Sequence, residues 1–327
     1  MNDFVIQTNK LTRYFGRKAA VQQLNLSVPR GSVFALLGRN GSGKTTTIRM
    51  LLGLVTPSRG SASVLGCDSL HLTADVRARI GYLSESHFAY RWMTIRECAR
   101  FQAGSFPRWS QRVFDAVVDH FGLDHAAKAG TLSRGERAEL CLAMTLGTEP
   151  ELLILDDPAL GLDPVARRSL VEAMLAVTSH KDRTILFSSH LLDDVERVAD
   201  HVAIIDQGVL RVQSSVDEFR NRIAQWRLRF EQLPDSLPKL PGLVHTKYVG
   251  NEIHLTIANA DQQTESTLQK TGAFEFERVA LSLDQAVIDY LTARGRTGSL
   301  LAAVRSDEPV TLKVKEAMTT HAETEQS

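Results

Sequence analysis

A chain of 327 residues exceeds what one hydrophobic core usually holds, so a large domain with a smaller companion is expected. Lysine plus arginine equals aspartate plus glutamate at 38 each, a balance that gives no overall field to draw the chain onto nucleic acid or an acidic membrane surface. No apolar run approaches the roughly 20 residues of a bilayer-crossing helix, and the start MNDFVIQTNK lacks the regions of a secretion signal, so a cytosolic chain is expected. Cys67, Cys98 and Cys141 stand far apart, without a C-x-x-C pair or a histidine at metal-ligand spacing, and read as reduced thiols.

From Met1 to about Ser215, short apolar runs alternate with helical stretches, as parallel strands and crossover helices do in an α/β domain. The first strand, Val33 to Leu37, runs straight into Gly38-Arg39-Asn40-Gly41-Ser42-Gly43-Lys44-Thr45, which fits G-x-x-x-x-G-K-[ST]. Glycines at these positions let backbone N–H groups turn inward around phosphate oxygens. The helix expected over Thr45 to Leu52, with Thr46 in its first turn, aims its positive end at them. Lys44 would reach the β and γ phosphates of a nucleotide, and Thr45 would ligate magnesium.

Ser84 to Trp109 carries Phe88, Tyr90, Trp92, Met93, Phe106 and Trp109, a concentration of large apolar groups in a chain only 6% aromatic. Such a segment is either the core of a helical subdomain or an exposed docking patch. Ser133 and Glu136 then stand at capping-box spacing before a helical stretch, Arg137 to Leu146, and the same helix start is a candidate anion site. The apolar strand Leu152 to Leu155 delivers Asp156 and Asp157 at its end. Beside a phosphate loop, Asp156 is the candidate for holding the magnesium waters, and Asp157 for orienting or deprotonating an attacking water. Thr184 to Ser188 and Val202 to Ile205 are further apolar runs suited to a sheet covered on both faces.

Beyond Asp217 the style changes. A short helix leads into Trp226-Arg227-Leu228-Arg229-Phe230, whose alternation suits a strand with one wet face. Pro234, Pro238 and Pro241 punctuate a loop, Ile253, Leu255 and Ile257 alternate again, and Leu281 to Leu291 has helical spacing. The expected division is 1–216 for the nucleotide-binding domain, with a helical subdomain at about 84–148, then 217–305 for a small α+β domain, and 306–327 for a polar, frayed tail.

LSRGE ahead of LLILDD resembles the signature motif and acidic strand of ABC-type ATPases, whose usual wording is LSGGQ and LLLLDE. The resemblance implies a P-loop NTPase fold of the ABC nucleotide-binding type and further roles in chain order. Phe15, with Tyr14 as runner-up, would stack on adenine. Glu85, in GYLSE, stands where the lid glutamine contacts magnesium and the attacking water. Asp163, in GLDP, belongs to the loop that crosses between subunits, and His190, in SSH, is the switch histidine. Ser133, Arg134, Gly135 and Glu136 would face the γ phosphate of a second subunit's ATP. Asp157 stands in place of the family's Glu, Arg134 in place of Gly, and Glu85 in place of Gln.

Glu85 and the stretch LSLDQAVIDYLTARG are similar to the exporter branch whose permease is a separate chain. That implies ATP and magnesium as cofactors, a second ATPase subunit and a transmembrane permease as partners, no nucleic acid, and a place at the inner face of the cell membrane. A weakly hydrolysing regulatory subunit and a non-transport ABC protein are the alternatives.

Overall fold

The strand Val33–Leu37 is buried at every position, which demands cover on both faces. The computed structural model, which describes residues 3–178, 183–189, 192–234 and 237–292, supplies it with a six-stranded sheet. The spatial order is Val209–Ser215, His201–Asp206, Val33–Leu37, Thr184–Ser189, Leu152–Leu155, Ile80–Leu83. Neighbours are parallel except for Val209–Ser215, which returns antiparallel along one edge. Side-chain alternation divides the interior in two. Val33, Ala35, Leu37, Leu153 and Leu155 enter the core shared with the helical subdomain, while Phe34, Leu36, Leu152 and Ile154 enter the other.

The expectation of parallel strands from the first residue is corrected by a second, antiparallel sheet. It is built from Phe4–Phe15, Lys18–Leu24, Ser27–Pro29, Arg59–Val64 and Cys67–Asp68. Phe15 pairs with Lys18, so only Gly16-Arg17 closes the first hairpin, with Gly16 at φ 57. A connection that short joins antiparallel strands and leaves no room for a crossover.

Three capped helices lie between the strands Ile80–Leu83 and Leu152–Leu155: Ile95–Ala103 behind Thr94, Gln111–His120 behind Ser110, and Arg134–Gly147 behind Ser133. The last begins at Arg134 rather than Arg137, and the first long helix spans Lys44–Leu51 rather than Thr45 to Leu52. At the amino ends of Val33–Leu37, Leu152–Leu155 and the edge strand Ile80–Leu83, Glu151 accepts from Arg79 at 2.5 and 2.9 Å and also bonds Arg30.

After the helix Val216–Arg222, a four-stranded antiparallel sheet is ordered Leu243–Val249, Glu252–Ala258, Ile223–Arg229, Glu275–Ala280. Trp226, Leu228, Ile253, Leu255 and Ile257 point to one face and meet Leu268 of the helix Gln262–Gln269. The helix Leu283–Thr292 behaves differently, because Leu283, Ala286 and Val287 join Ile223, Phe219 and Val195 in the core that also takes Val33, Ala35 and Leu37 of the six-stranded sheet. Glu196 secures that junction by accepting from Arg220 at 2.9 Å and from the Leu283 N–H at 2.8 Å. The expected tail from Ser306 lies outside the described residues.

Candidate functional site

The loops that follow Leu37, Leu83 and Leu155 all leave the carboxyl edge of the parallel sheet, where ligands of open α/β sheets bind. Gly38, Gly41 and Gly43 take φ 158, 78 and 110. A Cβ on Gly38 would lie 2.3 Å from the Ile205 carbonyl, and one on Gly43 would lie 2.5 Å from that of Ala20. The loop therefore closes only with glycine there. Arg39, Asn40 and Gly41 are exposed, Thr45 and Thr46 half-buried, and Ser42 and Lys44 buried.

Lys44 donates from Nζ to the carbonyl oxygens of Gly38 at 2.7 Å and Arg39 at 3.4 Å. Burial lowers its pKa, against the opposing charges of Asp157, Asp156 and Glu85.

Asp156 is 1% exposed. Its Oδ1 accepts from Thr45 Oγ1 at 3.0 Å and from Ser188 Oγ at 2.9 Å. Burial raises its pKa, an effect that the bonds from Ser188 and Thr45 oppose. Among the described residues, Asp156 Oδ2 and Ser42 Oγ are buried polar atoms without a hydrogen-bond partner. A buried acceptor left unpaired costs about 1–3 kcal/mol, and a hydrated divalent cation beside the carboxylate and a phosphate oxygen beside the hydroxyl fit the two atoms. Ser188 also accepts from the Asp157 N–H at 2.8 Å, and Asp157 itself sits at φ 47. Asp157 also begins a turn, since its carbonyl accepts from Leu160 N at 3.0 Å.

The predicted signature residues lie at the start of the helix Arg134–Gly147. Ser133 and Glu136 form the reciprocal capping box, with bonds of 3.2 and 2.8 Å, and Glu136 is held below the usual carboxylate range by the Ser133 N–H. Ser133, Arg134 and Glu136 are exposed. A Cβ on Gly135 would lie 3.0 Å from that of Ala166, and Arg134 covers Gly161, whose φ of 71 suits glycine. Asp163 caps the helix Pro164–Thr178 by accepting from Val165 N at 2.9 Å and Ala166 N at 3.0 Å, which lowers its pKa. Phe15 is half exposed, with Arg13 stacked over the ring at 4.7 Å. His190 lies outside the described residues.

Two site residues escaped the sequence reading: Ser188, whose hydroxyl joins both aspartates, and His87, buried with Nε2 3.1 Å from the Pro158 carbonyl. Burial lowers the His87 pKa, as do Arg134 and Arg137. The cysteines remain free thiols, and burial pushes Cys141 up to about 12.

Residues 21–160 match the family described as ABC transporter. The chain is 36% identical over 220 residues to the bacitracin transport ATP-binding protein BcrA of Bacillus licheniformis, covering 67% of this chain and 72% of that protein. It is 31% identical over 289 residues to the uncharacterized ABC transporter ATP-binding protein YhaQ of Bacillus subtilis (strain 168), covering 85% and 96%. A solved structure of an ATP binding subunit of an ABC transporter superposes with a TM-score of 0.60 at 28% identity, covering 66% of this chain and 92% of the other. The chain therefore belongs to the ABC transporter ATP-binding proteins and has their P-loop ATPase fold.

Proposed function

We propose that this chain is the ATP-hydrolysing subunit of an exporter with a separate permease, and that two ATPase subunits close around two magnesium-ATP molecules. The observation that carries the reading is the Thr45–Asp156 hydrogen bond, with the second oxygen of Asp156 buried and unpaired. It joins the phosphate loop to the acidic strand at the place where a nucleotide-bound cation would sit. When bound, magnesium supplies charge neutralisation across the β and γ phosphates.

The residues of this chain divide the remaining work. Gly38, Arg39, Asn40, Gly41, Ser42, Gly43, Lys44, Thr45 and Thr46 cradle the phosphates, and Phe15 offers its open ring face to the base. Thr45, Asp156 and Glu85 are the residues that would hold the cation through oxygen atoms. Asp157 orients the attacking water, with His190 as the expected partner at the γ phosphate. Ser133, Arg134 and Glu136, exposed at a helix start, with Gly135 buried among them, close the other subunit's nucleotide, and Asp163 belongs to the crossing loop.

The permease reading rests on an aromatic cluster next to the lid. Phe88 and Trp92 are 68% and 67% exposed; Phe88 and Phe101 meet Tyr90 edge-on, and Trp92 meets it with a tilted ring. Met93 and Trp109 instead pack on the core, so the segment serves both purposes. A cytoplasmic position at the membrane, reached through the permease, belongs to the same reading; no helix among the described residues is long and apolar enough to cross a bilayer. So does a division near residue 216.

The test is ATP turnover and cargo movement by the chain purified with its membrane partner. Phe88→Ser with Trp92→Ser should separate the partner while leaving nucleotide affinity unchanged. Retained co-purification by that double variant overturns the docking assignment.

A further inference from the structure

His87 is 2% exposed, two positions beyond Glu85, and its backbone adopts φ 44, a conformation uncommon outside glycine. Its N–H donates to the Ser84 carbonyl at 3.2 Å, closing a single turn that carries Glu85. Its ring reaches across to the carbonyl of Pro158, 3.1 Å from Nε2. A carbonyl only accepts, so Nε2 bears the proton and donates.

Pro158 is the residue after Asp157, and Ser188 holds the Asp157 N–H. The backbone of Asp157 is therefore clamped on both sides. One clamp comes from the central strand Thr184–Ser189 and the other from the lid segment. The left-handed φ of 47 at Asp157 persists in a non-glycine residue only where its surroundings over-determine it, and these two bonds do so.

We propose that His87 is a positioning residue that couples the seating of the lid segment to the placement of the Asp157 carboxylate. Glu85 and His87 move together because one turn joins them, and His87 passes that movement to the Pro158 carbonyl. Asp157 then reaches its working position only when Glu85 is seated at the nucleotide. The inference rests on the assignment of Asp157 as the residue that orients the attacking water. Loss of the His87 bond frees the carbonyl end of the clamp, and a displacement of about 1 Å in a reacting group is enough to cost about a hundredfold in rate.

The test compares turnover at saturating ATP and nucleotide affinity in the full chain carrying His87→Leu, His87→Gln or neither, in wild-type and Asp157→Asn backgrounds. Leu removes the donor, whereas Gln keeps an N–H at nearly the same reach. Expected are a loss of about tenfold or more in kcat for His87→Leu with affinity unchanged, near-complete rescue by His87→Gln, and no further loss from His87→Leu beside Asp157→Asn. Equal losses in the Leu and Gln variants, a fall in affinity matching the fall in kcat, or losses that multiply with Asp157→Asn would each reduce His87 to a packing residue. Unchanged turnover in Asp157→Asn alone removes the assignment of Asp157 and this proposal with it; a fall there beside an unaffected His87→Leu removes this proposal only. Where His87→Leu does not fold, His87→Asn replaces it. Its amide stops short of Pro158, so kcat should fall in the order His, Gln, Asn, and equal rates overturn the coupling.

Discussion

Lys44 is 6% exposed and bonds two carbonyls of its own loop, a resting arrangement that phosphate oxygens would replace with charge-assisted bonds. Hydrogen bonds to charged groups contribute about 1.5–3 kcal/mol each. Lys44→Ala should therefore weaken ATP binding by about a hundredfold or more while the fold persists, as titration calorimetry and thermal melting would register. Unchanged affinity would remove the phosphate-loop assignment.

Asp157 invites a second residue-scale prediction. Asp and Glu have similar reference pKa values, about 3.9 and 4.3, so reach decides the outcome rather than basicity. With one methylene fewer than the family's glutamate, Asp157 should turn over slowly. Asp157→Glu should raise kcat in the assembled complex with affinity nearly unchanged, and Asp157→Asn should remove most of it; a wild-type rate equal to that of the Glu variant defeats the argument. Lys44, Thr45, Asp156 and Asp157 were legible because motif spacing alone lines them up. Ser188 and His87 were not, since their partners lie 31 and 71 positions away and burial alone gives them weight.

At the scale of elements, Glu151 ties together the starts of three strands of the six-stranded sheet through Arg30 and Arg79. Burial pushes its pKa up, but the hydrogen bonds and charges of the two guanidinium groups prevail and hold it below the usual range. A carboxylate with a depressed folded pKa adds stability above its unfolded pKa, near 4.5, and loses it as pH falls through the folded value. Glu151→Gln should therefore cost about 1 kcal/mol at neutral pH, and the gap should shrink as pH drops below about 4.5. Denaturant melts of both proteins at pH 7 and pH 3 check this, and a gap that persists at pH 3 contradicts it.

The central strands were readable as elements because burial on both faces leaves an unbroken apolar run. The antiparallel sheet was not: the strand Phe4–Phe15 mixes buried and exposed positions without strict alternation and pairs with Lys18–Leu24, Ser27–Pro29 and Arg59–Val64. Only the Gly16-Arg17 hairpin left a local trace.

For the whole molecule, the helix Leu283–Thr292 alters what truncation should do. Motif placement alone implies that removing residues from Arg227 onward spares ATP binding. Leu283, Ala286 and Val287, however, fill the same core as Phe219 and Val195. Each large apolar side chain withdrawn from that core costs about 1.5–3 kcal/mol. The truncated chain should melt at a lower temperature and expose apolar surface to dye, yet still bind ATP below its midpoint. Loss of binding in the folded fragment would place part of the nucleotide site beyond residue 226.

The order of strands in the six-stranded sheet also bears on how the chain is made. Val33–Leu37, which carries the phosphate loop, is flanked in space by Thr184–Ser189 and His201–Asp206. A ribosome releasing this chain from its amino end exposes a wholly apolar strand long before either neighbour has been synthesised. Such late, non-local pairing slows folding and lengthens exposure to aggregation. The antiparallel sheet relieves part of the problem, because strands within Phe4 to Asp68 pair with one another early and bring Val5, Leu24, Leu26 and Val64 together as a surface on which Phe34 and Leu36 can wait. The segment whose architecture was least visible in the sequence should thus shelter the phosphate-loop strand during translation, which protease protection of ribosome-bound chains ending between the two sets of strands would check.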